Sequence, residues 1–147
     1  MTTIAWDGKT LAADRRVSFG SVSDGNVTKI VKRKKDGALA AAAGNSSMAA
    51  AFRRWFLNGE RRLDTKPELS KDTETASGVI IRPNGVVEIH DQYGWFELET
   101  EKYANGSGWE IAIGAMHAGA TAEEAVRIAA KLDGNTGDEV DVLELGK

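Results

Sequence analysis

The sequence predicts an α+β fold in which helices pack on a mostly antiparallel sheet system. The chain has 147 residues with 16 glycines and only 2 prolines, and the pairs Asp7-Gly8 and Asp36-Gly37 are strong hairpin signals. Strand-like alternation comes first, then a helical segment, more strands, two helical segments and a final strand. This length and order favour a single domain over residues 1–147.

The strand-like segments are separated by turns rich in Gly, Asn and Asp. They cover residues 2–6, 10–13, 27–31, 38–43, 76–82, 86–89, 93–98, 103–104 and 140–145. Residues 17–19 and 21–22 are expected to form a short excursion, and a turn at Asp24-Gly25-Asn26 is expected to precede the segment at 27–31. Residues 60–74 are mostly polar and charged, and we expect a surface connection there.

Three segments have helical periodicity. The first starts at Ser46 or Ser47 and ends at Asn58-Gly59, with its apolar side chains on one face. The second covers residues 109–117. The third starts at a capping box, Thr121-Ala122-Glu123-Glu124, and ends near Asp133-Gly134.

Composition excludes several classes of function. Nineteen basic against 22 acidic residues give a net charge of −3, which argues against a nucleic-acid binder. Without cysteine there is no disulfide, thiolate zinc site or Cys nucleophile. The two histidines, His90 and His117, have no ligand partner at metal spacing, so neither metal nor cofactor is expected. No apolar run is long enough to span a membrane, and a cytoplasmic protein is expected.

The N-terminus is the first candidate for chemistry. Thr2 is small, so the initiator Met1 is of the kind that is normally removed, which would leave Thr2 with a free α-amine. That amine has an unperturbed pKa of about 7.7–8.0 and can act as a base for the neighbouring hydroxyl. Many proteins begin with Met-Thr, so an ordinary N-terminus is the alternative.

Several motifs in fixed order strengthen the first interpretation. They are Thr2-Thr3-Ile4-Ala5, Leu11-Ala12-Ala13-Asp14-Arg15-Arg16, Gly25-Asn26-Val27-Thr28-Lys29-Ile30, Ala42-Ala43-Gly44, Thr73-Glu74-Thr75-Ala76-Ser77, Asn105-Gly106-Ser107-Gly108 and Leu132-Asp133-Gly134-Asn135-Thr136-Gly137. In this combination the chain resembles the proteasome β-subunit family, and most of all its bacterial HslV type. The resemblance runs almost from end to end.

The resemblance implies the four-layer αββα sandwich of N-terminal nucleophile hydrolases. One helix followed by about fifteen polar residues stands where the family has two long helices, so the helical layer is shortened. It further implies a peptide or unfolded protein substrate, a homo-oligomer that can be a ring, and an ATP-dependent unfoldase as a possible partner.

By the same resemblance, Thr2 is the nucleophile, Lys29 the catalytic lysine and Asp14 the aspartate that orients it. A cation near Thr2 would lower the pKa of its amine and stabilise the developing alkoxide. An ordinary structural ion pair is the alternative for Asp14 and Lys29.

Four further positions match the family's site. The amide of Gly44 would be the oxyanion donor, and Ser107 would help to position the α-amine and a water molecule. Asp133 and Thr136 would complete the polar network. The alternatives are a strand-to-helix turn at Gly44 and a helix N-cap at Ser107.

The walls of an apolar substrate pocket would be small side chains, each of which core packing explains equally well. They are Val17, Val27, Val31, Ala42, Ser46 and Ala50.

The function that these residues predict is a threonine-type endopeptidase acting through an acyl-enzyme ester. Two alternatives stay open. One is a catalytically inactive scaffold or assembly protein with the same fold. The other is an N-terminal nucleophile amidase that acts on a small substrate.

Overall fold

The structure is a computed structural model that describes residues 2–19, 22–60 and 66–146. Its strands are β1 Thr3–Trp6, β2 Thr10–Asp14, β3 Arg16–Phe19, β4 Val22–Asn26, β5 Ile30–Lys32, β6 Leu39–Gly44, β7 Ser70–Lys71, β8 Glu74–Ile81, β9 Val87–Asp91, β10 Gly94–Leu98, β11 Tyr103–Gly106 and β12 Val140–Glu144. Its helices are α1 Ser46–Leu57, α2 Trp109–His117 and α3 Ala122–Leu132. The predicted α+β class and the three predicted helices are confirmed.

The chain divides into two compact units. The first contains Met1–Lys29 and Glu101–Glu144, and the second contains Ile30–Thr100 and Leu145–Lys147. Each has its own sheet and its own apolar cluster. The single domain expected from the sequence stays a prediction.

The first unit is built on a four-stranded antiparallel sheet in the order β11-β1-β2-β12. Thr3 pairs with Gly106 on one side of β1, and Ile4 pairs with Ala13 on the other. Helices α2 and α3 cover the face that carries Ala5 and Ala12. These short side chains let the helices approach the sheet closely, which brings their ends to the N-terminal end of β1.

Asp7 connects the first hairpin to the start of α3. Its carboxylate accepts hydrogen bonds from the amides of Lys9 and Thr10 and from the amide of Ala122, at 2.8–2.9 Å. Burial raises the pKa of this carboxyl, but these hydrogen bonds outweigh it and hold the pKa below its ordinary value. The capping box at Thr121 is confirmed, because its hydroxyl accepts from the amide of Glu124.

The second unit is built on a sheet in the order β10-β9-β8-β6-β5, with β7 paired to β8. Helix α1 covers one face, where Phe52 and Phe56 pack on alternate alanines of β6. A Cβ on Gly78 of β8 would lie 2.5 Å from the Phe52 ring, so the ring rests directly on the strand. Among the described residues α1 is the one helix of this unit, in agreement with the shortened layer.

Residues 22–31 differ from the prediction, and residues 20 and 21 of the expected excursion lie outside the described residues. The expected turn at Asp24-Gly25-Asn26 is wrong, because these residues belong to β4, which pairs with β3. The amide of Val27 then donates to the carbonyl of Arg15 at 2.7 Å. This bond extends the contact between the two segments, so β5 begins only at Ile30 and not at 27. Local turn chemistry is overridden by strand pairing.

The packing of α1 gives the first prediction. Replacing the fully buried Phe52 by alanine should lower the free energy of unfolding by about 3–5 kcal/mol, through lost burial and a cavity. Leu57→Ala in the same helix is the control, because Leu57 is 43% exposed and should change stability by less than about 0.5 kcal/mol. Denaturant unfolding measures both, and equal losses would contradict the assignment.

Candidate active site

The carboxylate of Asp14 is the centre of the site in the first unit. It lies at the end of β2 and is fully buried. Its Oδ1 accepts from the backbone amide of Thr3 at 2.9 Å and from Nζ of Lys29 at 3.0 Å, and its Oδ2 accepts from the amide of Gly137 at 2.9 Å. A buried carboxylate is tolerated only when it is paired and hydrogen-bonded, and these three donors satisfy both conditions.

Lys29 is also buried, with 4% of its surface exposed. Because its ammonium and the Thr3 amide bind the same oxygen of Asp14, at 3.0 and 2.9 Å, the two nitrogens are no more than about 6 Å apart. The cation is therefore held close to the peptide bond that joins Thr2 to Thr3. The predicted contact between Asp14 and Lys29 is present.

Thr2 precedes β1 and is 9% exposed. Its carbonyl accepts a hydrogen bond from the backbone amide of Ser107 at 2.7 Å. The approach is possible because Gly106 has no side chain: a Cβ there would lie 1.7 Å from the Thr2 oxygen, and its φ of +97° also favours glycine. Ser107 is thus placed next to the backbone of the predicted nucleophile.

Ser107, Asp133 and Thr136 form one cluster, as predicted. The Asp133 Oδ2 atom accepts from the hydroxyl of Ser107 at 2.6 Å and from the hydroxyl of Thr136 at 2.7 Å. The alternative that Ser107 is the N-cap of the helix is wrong, because the N-cap of α2 is Gly108. The Ser107 hydroxyl is committed to Asp133.

The protonation state of Asp133 fixes the direction of these hydrogen bonds. Burial raises the pKa of its carboxyl, but hydrogen bonds from the hydroxyls of Ser107 and Thr136 and from the Asn135 amide hold the pKa below its ordinary value. The ionised carboxylate only accepts, so Thr136 must donate to it. Thr136 then accepts from the hydroxyl of Thr3, whose oxygen is 2.7 Å away.

The other predicted positions lie outside this cluster. Gly44 ends β6 in the second unit with φ +104°, and a Cβ there would lie 2.5 Å from the Thr75 carbonyl oxygen. A glycine is therefore required by the turn into α1. Its place beside Thr2 as an oxyanion donor stays a prediction.

The predicted pocket residues are divided between the two units. Val17 and Val27 are half-buried in the first unit. In the second, Ala42 and Val31 belong to the apolar cluster under α1. Ser46 and Ala50 lie on the first turns of α1, where Ser46 is exposed and Ala50 is half-buried. Their role as a substrate pocket stays a prediction.

Sequence reasoning missed Thr3 and Gly137. The signal for Thr3 comes only from the structure: it is a polar residue in a strand whose every residue is buried, and a buried hydroxyl needs a partner. Gly137 contributes a backbone amide, which every residue type except proline has, so no residue type indicates it.

Two features are absent from the described parts of the chain. Within residues 2–19, 22–60 and 66–146, no group of three or more metal-binding side chains could hold an ion. None of the three helices described is long and apolar enough to cross a membrane.

The fold is that of the HslV and proteasome β-type class, which confirms the fold class predicted from the sequence. Eukaryotic HslV from Trypanosoma brucei is similar over 100% of both chains, with a TM-score of 0.72 and 21% identity. BPH of Thiobacillus denitrificans in complex with epoxomicin is similar over 99% of both chains, with a TM-score of 0.65 and 21% identity. Another structure of BPH gives a TM-score of 0.64 and 22% identity over 99% of this chain and 98% of that one.

No protein-family model matches the sequence, and no curated protein is significantly similar to it. At identities of 21–22% the structural likeness establishes the fold.

The burial of Asp14 gives the second prediction. Asp14→Asn keeps the size of the side chain but removes the negative charge that lies 3.0 Å from the buried Lys29 ammonium. The free energy of unfolding should fall by about 3–5 kcal/mol. Asp141→Asn is the control, because Asp141 and Arg15 form a 2.6 Å pair with side chains 30% and 29% exposed, which should contribute about 0–1 kcal/mol. Similar losses for the two variants would contradict the role of Asp14.

The lowered pKa of Asp133 gives the third prediction. A carboxyl whose pKa is depressed by folding contributes stability above its unfolded pKa of about 3.9, and that contribution is lost as pH falls through the folded value. The stability difference between wild type and Asp133→Asn should thus be constant above about pH 5 and shrink in stronger acid. Denaturant unfolding at a series of pH values measures it, and a difference that did not shrink would contradict the pKa direction.

Proposed function

We propose that the chain is a threonine peptidase whose nucleophile is Thr2, exposed as the N-terminal residue once Met1 is removed. The observation that carries the proposal is the buried polar network around Thr2 and Thr3. Asp14 with Lys29 holds it on one side, and Ser107 with Asp133 and Thr136 holds it on the other. β1 already pairs with β11 and β2, so its place in the sheet does not require this network around its first residues.

In the proposed reaction the neutral α-amine of Thr2 takes the proton of its hydroxyl, and Oγ1 attacks the carbonyl carbon of the scissile peptide bond. The tetrahedral intermediate collapses when the protonated amine gives its proton to the leaving nitrogen. The C–N bond breaks, and the acyl group stays on Thr2 as an ester. Water, deprotonated by the same amine, hydrolyses the ester and regenerates the hydroxyl.

Lys29 supplies electrostatic support in this scheme. Its ammonium, fixed by Asp14 at 3.0 Å, favours the neutral form of a nearby amine and stabilises negative charge that develops on Oγ1. Because the cation is buried, its field is less screened than at the surface. Asp14 acts through Lys29 and is a positioning residue.

Ser107 and Gly44 have different proposed roles. The amide of Ser107 orients the Thr2 carbonyl. Its hydroxyl donates to ionised Asp133, and the hydroxyl oxygen can at the same time accept a hydrogen bond from the Thr2 amine or from a water molecule. The amide of Gly44 is the proposed oxyanion donor, since a glycine lets the substrate carbonyl come close.

Substrate and assembly follow from the family resemblance. We propose a peptide or unfolded protein as substrate, with the small apolar side chains Val31 and Ala42 near its binding pocket. A homo-oligomer, as a ring, and an ATP-dependent unfoldase belong to the same proposal, as does a cytoplasmic location. Epoxomicin, bound in the structure of BPH, is the probe that we choose for the Thr2 site.

The proposed nucleophile gives the fourth prediction. Thr2→Ala should abolish hydrolysis of short fluorogenic peptides and of unfolded casein, because the attacking oxygen is lost. Thr2→Ser retains a hydroxyl beside the amine and should retain activity. Alanine and serine are both small, so removal of Met1 should proceed in the variants as in the wild type, and intact mass verifies it.

The contrary outcomes are specific. A wild type that hydrolyses peptides while it retains Met1, or a Thr2→Ala variant of undiminished activity, would refute the mechanism. A wild type with Met1 removed and no peptide hydrolysis would favour the scaffold. Hydrolysis restricted to small amides would favour the amidase.

A further inference from the structure

We propose that the hydroxyl of Thr3 is a positioning group of this site, and that it aligns Thr2 through Thr136, Asp133 and Ser107. The inference rests on the proposed function and adds to it a residue that the chemistry does not itself require. Thr3 touches neither the scissile bond nor the oxyanion in the proposed reaction. Its effect is on the geometry of the nucleophile.

The Thr3 side chain lies in a closely packed polar environment. Thr3 is fully buried and its hydroxyl oxygen lies 2.7 Å from that of Thr136. A Cβ on Gly108 would lie 2.3 Å from the Thr3 hydroxyl oxygen and 3.1 Å from that of Thr136. The two hydroxyls are in direct contact, and the backbone of Gly108 packs against both of them.

The hydrogen bonds from Thr3 through Thr136 to Asp133 all run in one direction. Asp133 is ionised and Thr136 donates to it, so Thr3 donates to Thr136. Each donation polarises the next hydroxyl, which makes the chain stronger than its separate bonds. Ser107 donates to the same Asp133 oxygen from the other side.

The hydrogen bonds among Thr3, Thr136, Asp133 and Ser107 form a closed ring. From Thr3 it passes through Thr136 and Asp133 to the Ser107 hydroxyl. It returns through the Ser107 amide to the carbonyl of Thr2, which is covalently joined to Thr3. A closed ring fixes the Thr2–Thr3 peptide plane, and with it the position of the Thr2 Cα atom that carries the amine and the side chain.

Thr3 joins the two halves of the site, one that contains Asp14 and Lys29 and one that contains Ser107. Its backbone amide donates to Asp14, which holds Lys29, while its hydroxyl belongs to the ring that contains Ser107. The lysine half and the serine half therefore meet at one residue. A shift of Thr3 changes the placement of Thr2 relative to both.

A side chain with this role should affect turnover more than substrate binding. Along β1, Thr3 and Ala5 share a face, and Ala5 packs in the cluster of α2 and α3. The Thr3 hydroxyl is thus on the helix-covered face and does not contact substrate. Misalignment of the nucleophile lowers kcat and leaves KM unchanged.

The fifth prediction compares two variants of Thr3. Thr3→Val has nearly the same shape without the hydroxyl, and should lower kcat for peptide hydrolysis about tenfold at constant KM. The rate of covalent labelling by epoxomicin should fall to the same extent. Thr3→Ser restores the donor and should restore both rates, although it lacks the methyl group.

Thr10→Val is the matched control. Thr10 donates its hydroxyl to a carboxylate oxygen of Asp7 at 2.7 Å, in the same unit and on the neighbouring strand. It should lose stability as Thr3→Val does, with kcat unchanged. If Thr3→Val does not fold, Thr136→Val removes the same bond together with the bond from Thr136 to Asp133, and it should lower kcat at least as much.

The outcomes separate the inference from the function on which it rests. An active wild type with a Thr3→Val variant of equal kcat overturns the inference and leaves the peptidase intact. So does a Thr3→Ser variant as impaired as Thr3→Val, since the methyl and not the hydroxyl would then matter. A wild type that neither hydrolyses peptides nor reacts with epoxomicin overturns the proposed function and the inference together.

Discussion

A fully buried carboxylate, that of Asp14, is the interaction on which the first unit depends. It accepts from Thr3, Lys29 and Gly137, three residues that are far apart in the sequence. Leaving any buried charge without a partner costs several kcal/mol, so the three segments are held in one arrangement. The pairing of β1 with β2 sets the distance at which the Thr3 amide meets Asp14.

Stability and proposed chemistry use the same groups. Asp14 neutralises a buried lysine, and that pairing also keeps the cation next to the first residues of the chain. Asp133 is different, because it lies at the end of α3 and its carboxylate is held by the hydroxyls of Ser107 and Thr136 instead of by a cation. The two carboxylates thus hold Thr3 from two sides, one through its amide and one through its hydroxyl chain.

Much of the fold could be predicted from the sequence, because periodicity and caps are local. Residues 109–117 were predicted as a helix and form α2. The turn predicted around Gly25 failed, because pairing with β3 is a long-range contact that no local signal contains. The family resemblance indicated Ser107, Asp133 and Thr136, and the structure brings them together. It did not indicate Thr3 or Gly137, whose roles depend on a buried partner and on a backbone amide.

The central claim is that this network exists to present Thr2 as an N-terminal nucleophile. The most direct test is to map the epoxomicin adduct by tandem mass spectrometry of the full-length protein. The account predicts a single adduct on Thr2 in chains that have lost Met1, formed by both its hydroxyl and its amine. An adduct on another residue, or the absence of any adduct from chains that begin with Thr2, would contradict it.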